Sequence, residues 1–361
     1  MKHDAPKRPI RVLVVDDSAF MRTALSRMIA SESSMEVAGT ASSGSEALSR
    51  IASLNPDVVT LDVEMPGLNG LETLRCIMAQ SPRPVIMVSA VTEKDAQITF
   101  SALGAGAFDY VPKQLSSTSL DILHIQPDLV AKIRAAALSH DSHGNCARGK
   151  KPPSFSAATA QGTAPTQPAI VALGTSTGGP RALQEILPLF PRDLSVPILI
   201  VQHMPPGFTA PFAQRLNALC SVTVREAADQ EPVMPGVVYI APAGLHMTVA
   251  RASDSMASIH LDTEPASSLH VPSVDVMMKS VAEQFGSSAM GVIMTGMGSD
   301  GAQGMKSIHR QGGFTVGQDE ATCVVYGMPR ACAELGVLQR VVPLHQIPAQ
   351  ILQATNFRRR A

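Results

Sequence analysis

No two cysteines in this 361-residue chain are spaced as C-x-x-C, and the five present, Cys76, Cys146, Cys220, Cys323 and Cys332, are an odd number scattered along the sequence. That excludes a disulfide framework and a zinc knuckle, and it leaves the cysteines as small core residues of a reduced compartment. Charge is scarce too: Asp, Glu, Lys and Arg make up 16% of the chain, and the formal net charge is −1. Without a broad basic field to hold a polyphosphate backbone, nucleic acid is not an expected partner. The one dense basic cluster, Arg358-Arg359-Arg360, reads as a solvated tail. No apolar run reaches the ~18 residues of a membrane span, and Asp16 and Asp17 break the first apolar stretch. Neither membrane insertion nor a signal peptide is expected, and the chain reads as globular and cytoplasmic.

What is present is enough apolar material, 45% of residues, for two packed interiors. Residues 139–166 carry almost no large aliphatic side chain and are rich in Ser, Ala, Pro, Gly and Thr. Such a segment cannot bury enough surface to offset its ordering entropy, so it is expected to be a linker. A coil of this length spans roughly 30 Å r.m.s.. The expected domains are residues 10–138 and 167–357.

In the first domain near-continuous Val/Ile/Leu runs alternate with helix-length sequence: RVLVVDD (11–17), MEVAGTA (35–41), VVTLDVEM (58–65), PVIMVSA (84–90) and AFDYVPK (107–113). That alternation predicts a parallel sheet covered on both faces. With strand order 2-1-3-4-5, Asp16 and Asp17 after the first strand converge with Asp62 on the third. Like charges that close need a cation among them, and a hard, oxygen-liganded ion such as Mg²⁺ fits. Ser89 and Lys113, at the ends of the fourth and fifth strands, would face an anion placed on Asp62. A nucleophilic carboxylate, a metal and cationic partners are what phosphoryl transfer onto an acid needs.

The second domain repeats the pattern: AIVALGTS (169–176), VPILIVQHM (196–204), VVYIAPA (237–243), MGVIMTGMG (290–298) and GGFTVGQ (312–318), with helix patterns at 181–189 and 301–311. This predicts a second doubly wound α/β domain of five strands, with its ligands beyond the carboxyl ends. Gly174-Thr175-Ser176-Thr177-Gly178 matches G-x-S-x-G, the turn that exposes a nucleophilic serine. The same loop also suits an anion on a helix N-terminus or an ordinary glycine turn. His203 and Asp300 also end strands, and a serine hydroxyl needs a base held by an acid. His246 and His270 are weaker candidates for the base; His270 could stand behind it, and His309 lies in a helix pattern. The Met297 N–H, between two glycines, is a candidate oxyanion donor.

VLVVDDS, TLDVEMPGLNG, MVSA and DYVPK resemble the response-regulator receiver domains, whose sheet is flavodoxin-like. The resemblance implies that Asp62 accepts a phosphoryl group. Asp16, Asp17, Asp62 and the backbone carbonyl of Glu64 would hold Mg²⁺, Ser89 and Tyr110 would form a switch pair, and Lys113 would contact the phosphate. GTSTGG, QHMPPGF, APAGLHM, PSVDV and TGMGSDG resemble the chemotaxis receptor methylesterase family of CheB type. That resemblance implies a Ser176–His203–Asp300 triad, which needs no cofactor for its ester chemistry. The implied activity is hydrolysis of glutamate γ-methyl esters on chemoreceptor cytoplasmic domains, with deamidation of particular receptor glutamines. A chemotaxis histidine kinase would be the phosphodonor, and the unphosphorylated receiver would cover the esterase cleft. Gln114 and Val271 depart from the family patterns, which have proline and arginine there. The competing expectation is a receiver that controls an anion- or protein-binding module without catalysis.

Overall fold

The computed structural model describes residues 8–90, 92–113, 125–144, 167–251, 257–266 and 268–355. Gln114, Cys146, the linker beyond Gly144 and the Arg358-Arg359-Arg360 tail lie outside them. The chain divides into two compact units, Met1–Pro153 and Ser154–Ala361.

In the first unit β1 (Ile10–Val15), β2 (Met35–Ala41), β3 (Val58–Asp62), β4 (Val85–Ala90) and β5 (Asp109–Lys113) form one parallel sheet of order β2-β1-β3-β4-β5, as the sequence predicts. Its helices are α1 (Ala19–Ala30), α2 (Gly44–Leu54), α3 (Gly70–Gln80), α4 (Glu93–Gly104) and α5 (Gln126–Gly144). The last runs past the domain limit expected at residue 138. Short polar side chains start the helices: the Ser18 hydroxyl accepts from Met21 N, and Asn69 and Glu72 form a reciprocal capping box. On one face Val12, Val14, Val58, Ile86 and Val88 pack against Leu25, Ile29, Leu129 and Ile133. Burying each such side chain stabilises the fold by about 1.5–3 kcal/mol before entropy is counted.

The register brings the site to one edge. Asp62 lies opposite Val88, Ser89 opposite Pro112 and Ala90 opposite Lys113, so the β3, β4 and β5 ends are level. Gly70 lets α3 start against the end of β3, because a Cβ there would sit 2.1 Å from the Asp62 carbonyl oxygen.

The second unit holds β6 (Ile170–Thr175), α6 (Gly179–Ile186), β7 (Ile198–Gln202), α7 (Thr209–Leu219), β8 (Thr223–Glu226), β9 (Val237–Ile240), β10 (His246–Arg251) and β11 (Ala257–Asp262). It continues through α8 (Val274–Phe285), β12 (Ala289–Ile293), α9 (Ala302–Arg310), β13 (Phe314–Gln318), α10 (Met328–Glu334), β14 (Arg340–Val342) and α11 (Ile347–Ala354). Seven parallel strands run in order β14-β13-β12-β6-β7-β9-β8, and β10 and β11 form an antiparallel pair. The sequence predicted five of these. Edge strands β8 and β14 are only 4 and 3 residues long and half polar or exposed, so no apolar run marks them.

With β6 central, between β12 and β7, the three strand ends lie side by side. Thr175 pairs with Gln202 and Gly174 with Ile293. Ser176 and His203 are each the next residue along their chains.

Candidate active site and phosphoacceptor site

In the first unit the carboxylates of Asp16, Asp17 and Asp62 bring one oxygen each within 4.8 Å of one another. Asp16 and Asp62 are buried, whereas Asp17 is exposed. Lys113 Nζ lies 2.9 Å from Asp16 Oδ2 and 2.7 Å from Asp62 Oδ1. Burial pushes the Asp62 carboxyl up to about 6 against the pull of Lys113, with Asp16 and Asp17 adding to the rise. Burial opposes the Lys113 ammonium, but Asp62 and Asp16 outweigh it and hold its pKa above the usual lysine value. Three clustered carboxylates, two of them sharing one ammonium, suit a divalent ion, so the residues present fit Mg²⁺.

The other candidate residues of the receiver site have partners of their own. The Ser89 hydroxyl accepts from Thr99 Oγ1 of α4 at 2.8 Å and donates to the Ala90 carbonyl at 3.2 Å. The Glu64 side chain is exposed and paired with Lys94 at 2.8 Å. Tyr110 is buried, edge-on to Phe100 with Lys132 Nζ 5.3 Å from its ring centre.

In the second unit His203 and Asp300 meet: His203 Nε2 lies 2.8 Å from Asp300 Oδ2. Asp300 is held from every side. Its Oδ2 also accepts from Val274 N at 2.7 Å, and its Oδ1 accepts from Ser273 Oγ at 2.9 Å, Asp275 N at 3.0 Å and Gly301 N at 3.0 Å. Two of those donors are the first N–H groups of α8, whose dipole favours an anion there. Burial would raise the Asp300 carboxyl, but the bond from His203 and the N–H groups of Asp275 and Val274 hold it well below the ordinary carboxylate range. The other ring nitrogen, His203 Nδ1, is buried and meets no partner among the described residues.

The Ser176 turn is tied to both neighbouring strands. Its N–H donates to the Thr295 carbonyl at 3.0 Å, and His203 N donates to the Thr175 carbonyl at 3.2 Å. Beyond β12 lies Met297, half-buried, whose N–H meets no acceptor among the described residues.

Two histidines that the sequence left as rivals take distinct places. His270 stacks on His203, with ring centres 4.2 Å apart and planes inclined by 21°. His246, fully buried on β10, accepts the Ser273 N–H on its Nδ1 at 3.1 Å and so supports the segment that donates to Asp300. His309 is half-buried on α9. Gln202 and Thr295, which bind the strand ends together, were not singled out by sequence. Their signal is only a polar residue inside an otherwise apolar strand.

Comparison with known proteins gives this architecture a family. The CheB methylesterase family model matches residues 171–351, and the response regulator receiver domain model matches residues 12–123. The chain is 41% identical to a protein-glutamate methylesterase/protein-glutamine glutaminase of Desulfitobacterium hafniense, covering 98% of this chain and 99% of that one. It is 44% identical to a protein of the same name from Pyrococcus horikoshii, covering 97% of this chain and 95% of that one. The crystal structure of the Thermotoga maritima CheB methylesterase catalytic domain aligns with a TM-score of 0.50 and 40% identity, covering 52% of this chain and 99% of that chain. A methylesterase domain behind a response-regulator receiver domain is the class so defined. The chain belongs to the CheB methylesterase family. A non-catalytic binding module finds no support among these relatives. Among the described residues no helix is long and apolar enough to cross a membrane.

Proposed function

We propose that this chain is a phosphorylation-activated protein-glutamate methylesterase and protein-glutamine glutaminase of chemotaxis adaptation. It hydrolyses γ-methyl esters on chemoreceptor cytoplasmic domains to glutamate and methanol, and it deamidates particular receptor glutamines with release of ammonia. The observation that carries this reading is the 2.8 Å contact from His203 Nε2 to Asp300, with Nδ1 left buried and unpartnered one residue beyond the register pair that sets Ser176 alongside. The esterase domain is taken as residues 167–357 and the receiver as 10–138, joined by 139–166.

The chemistry follows from which ring nitrogen holds the proton. Asp300 is kept ionised, so His203 keeps its proton on Nε2 and offers the Nδ1 lone pair. This is the opposite ring usage to the serine proteases, where Nε2 faces the serine. Ser176 Oγ attacks the ester carbon as its proton passes to Nδ1. The tetrahedral intermediate collapses, methanol leaves with that proton, and an acyl-enzyme remains. Water then attacks and gives one proton to Nδ1; that proton returns to Ser176 Oγ as the carboxylic acid leaves, and the acid ionises by releasing its own proton to solvent. The Met297 N–H is the proposed donor to the oxyanion. None of these steps calls for a cofactor. Ser176→Ala should lower methanol release from methylated receptor by on the order of 10⁶-fold; turnover near wild type would remove the triad.

The receiver would be phosphorylated on Asp62 by a chemotaxis histidine kinase. Asp16, Asp17, Asp62 and the Glu64 carbonyl would hold Mg²⁺, which supplies charge neutralisation during transfer. Lys113 would leave its present partners to meet the phosphoryl oxygens, and Ser89 and Tyr110 would respond to the new charge. Asp62→Asn should abolish stimulation of methanol release by a small phosphodonor; stimulation equal to wild type would contradict this.

A further inference from the structure

Beneath the proposed site one side chain joins the two residues that exchange the proton. Gln202 closes β7 and is 1% exposed. Its Nε2 donates to the carbonyl oxygen of Ser176 and to that of His203, each at 3.0 Å. Two carbonyl oxygens face that end of the amide, so the nitrogen must lie there: the reverse orientation would set three oxygens together.

The simplest alternative is that the amide only satisfies strand-end carbonyls. Two observations weigh against it. The Ser176 carbonyl already accepts from Gly179 N at 2.8 Å, so a second donor adds geometry and not first satisfaction. At its other end Gln202 Oε1 is buried and meets no donor among the described residues, a destabilising arrangement that a residue kept for stability alone would avoid. The turn is shaped around this amide as well. A Cβ on Gly179 would lie 2.0 Å from Gln202 Oε1 and 2.4 Å from Thr175 Oγ1, so the glycine makes room for the amide at the start of α6.

We infer that Gln202 is a positioning residue, which fixes the Ser176 turn against the His203 backbone through one bifurcated amide. This rests on the reading of Ser176 as nucleophile and His203 as base. A misplacement of about 1 Å between reacting groups costs on the order of 10²-fold in rate, so the clamp should be visible in turnover and not in substrate binding.

The test uses the full-length chain and two substitutions: Gln202→Met keeps length and loses both donors, and Gln202→Asn draws the amide back by one methylene. Either variant is expected to release methanol with kcat lower by on the order of 10²-fold, KM for methylated receptor within roughly twofold of wild type, and labelling of Ser176 by a fluorophosphonate slowed to match. The thermal midpoint should barely move. A purely structural role gives the reverse: a lowered midpoint, with kcat and labelling per folded molecule as in wild type, and that result overturns the inference. If Gln202→Met does not fold, Gln202→Asn decides by the same split. Ser176→Ala runs beside them. If it keeps its turnover, the catalytic reading itself is wrong; if it is inactive while both Gln202 variants behave as wild type, only the clamp is wrong.

Discussion

The imidazole of His270 lies nearly flat on that of His203, with ring centres 4.2 Å apart. Burial, then the neighbouring His203, lower the His270 pKa, and the attraction of Asp300 does not cancel them. His270 is therefore biased toward its neutral form. It covers one face of His203, and its lowered pKa disfavours a second positive charge beside the imidazolium that the proposed acyl transfer would form. His270→Phe keeps the ring and should keep kcat within severalfold. His270→Lys sets a cation there and should lower kcat by on the order of 10²-fold, less than a full like-charge penalty at ~4 Å because the long chain can turn outward. Histidine titration by NMR checks the premise: a His270 midpoint at or above the ordinary value of about 6.5 would contradict it.

Asp300 links the site to stability. Its folded pKa is depressed, so it stabilises the fold at pH above its unfolded value of about 3.9, and that gain is lost as pH falls through the folded value. Asp300→Asn should therefore be less stable than wild type at pH 7 by about 1–3 kcal/mol, and the difference should shrink progressively as pH falls through about 4 and below. Denaturant unfolding at a series of pH values reads this directly. A gap constant from pH 7 to pH 2 would mean that the loss came from packing and not from charge.

Lys113 is the counter-charge of the receiver site, within 2.9 Å of Asp16 and 2.7 Å of Asp62. Lys113→Met leaves three carboxylates with no ammonium among them. Breaking a buried pair by removing one partner is costly, about 3–5 kcal/mol, unless a proton or metal replaces it. The variant should melt below wild type in chelator and gain more than wild type from added Mg²⁺. Equal Mg²⁺-induced shifts in the two proteins would argue against the metal sharing that site.

What the sequence made legible follows from chemistry that has to sit at strand ends. Val/Ile/Leu runs that stop at Asp16, Asp62, Ser176 and His203 mark both the strands and the candidate site residues at their ends, because parallel strands buried on both faces are continuous in apolar residues. Strands β8, β14 and the β10–β11 pair escape that test: half of each is solvent-facing, and turn chemistry does not set them apart. The choice of ring nitrogen in His203 was also invisible, since it depends on how the α8 start and the β12–α9 loop close on Asp300. Support by His246 and Gln202 was hidden for a similar reason. Each acts through a backbone group of a distant segment, and no local spacing encodes that.

The central claim is that Ser176 carries an activated hydroxyl because His203 takes its proton. Labelling of the full-length chain by a fluorophosphonate, with the adduct located by peptide mass, tests it most directly. The account predicts one adduct on Ser176, formed at least about 10³-fold more slowly in His203→Gln, where no base is present. An unlabelled Ser176 in the native chain, or labelling equally fast without His203, would contradict it.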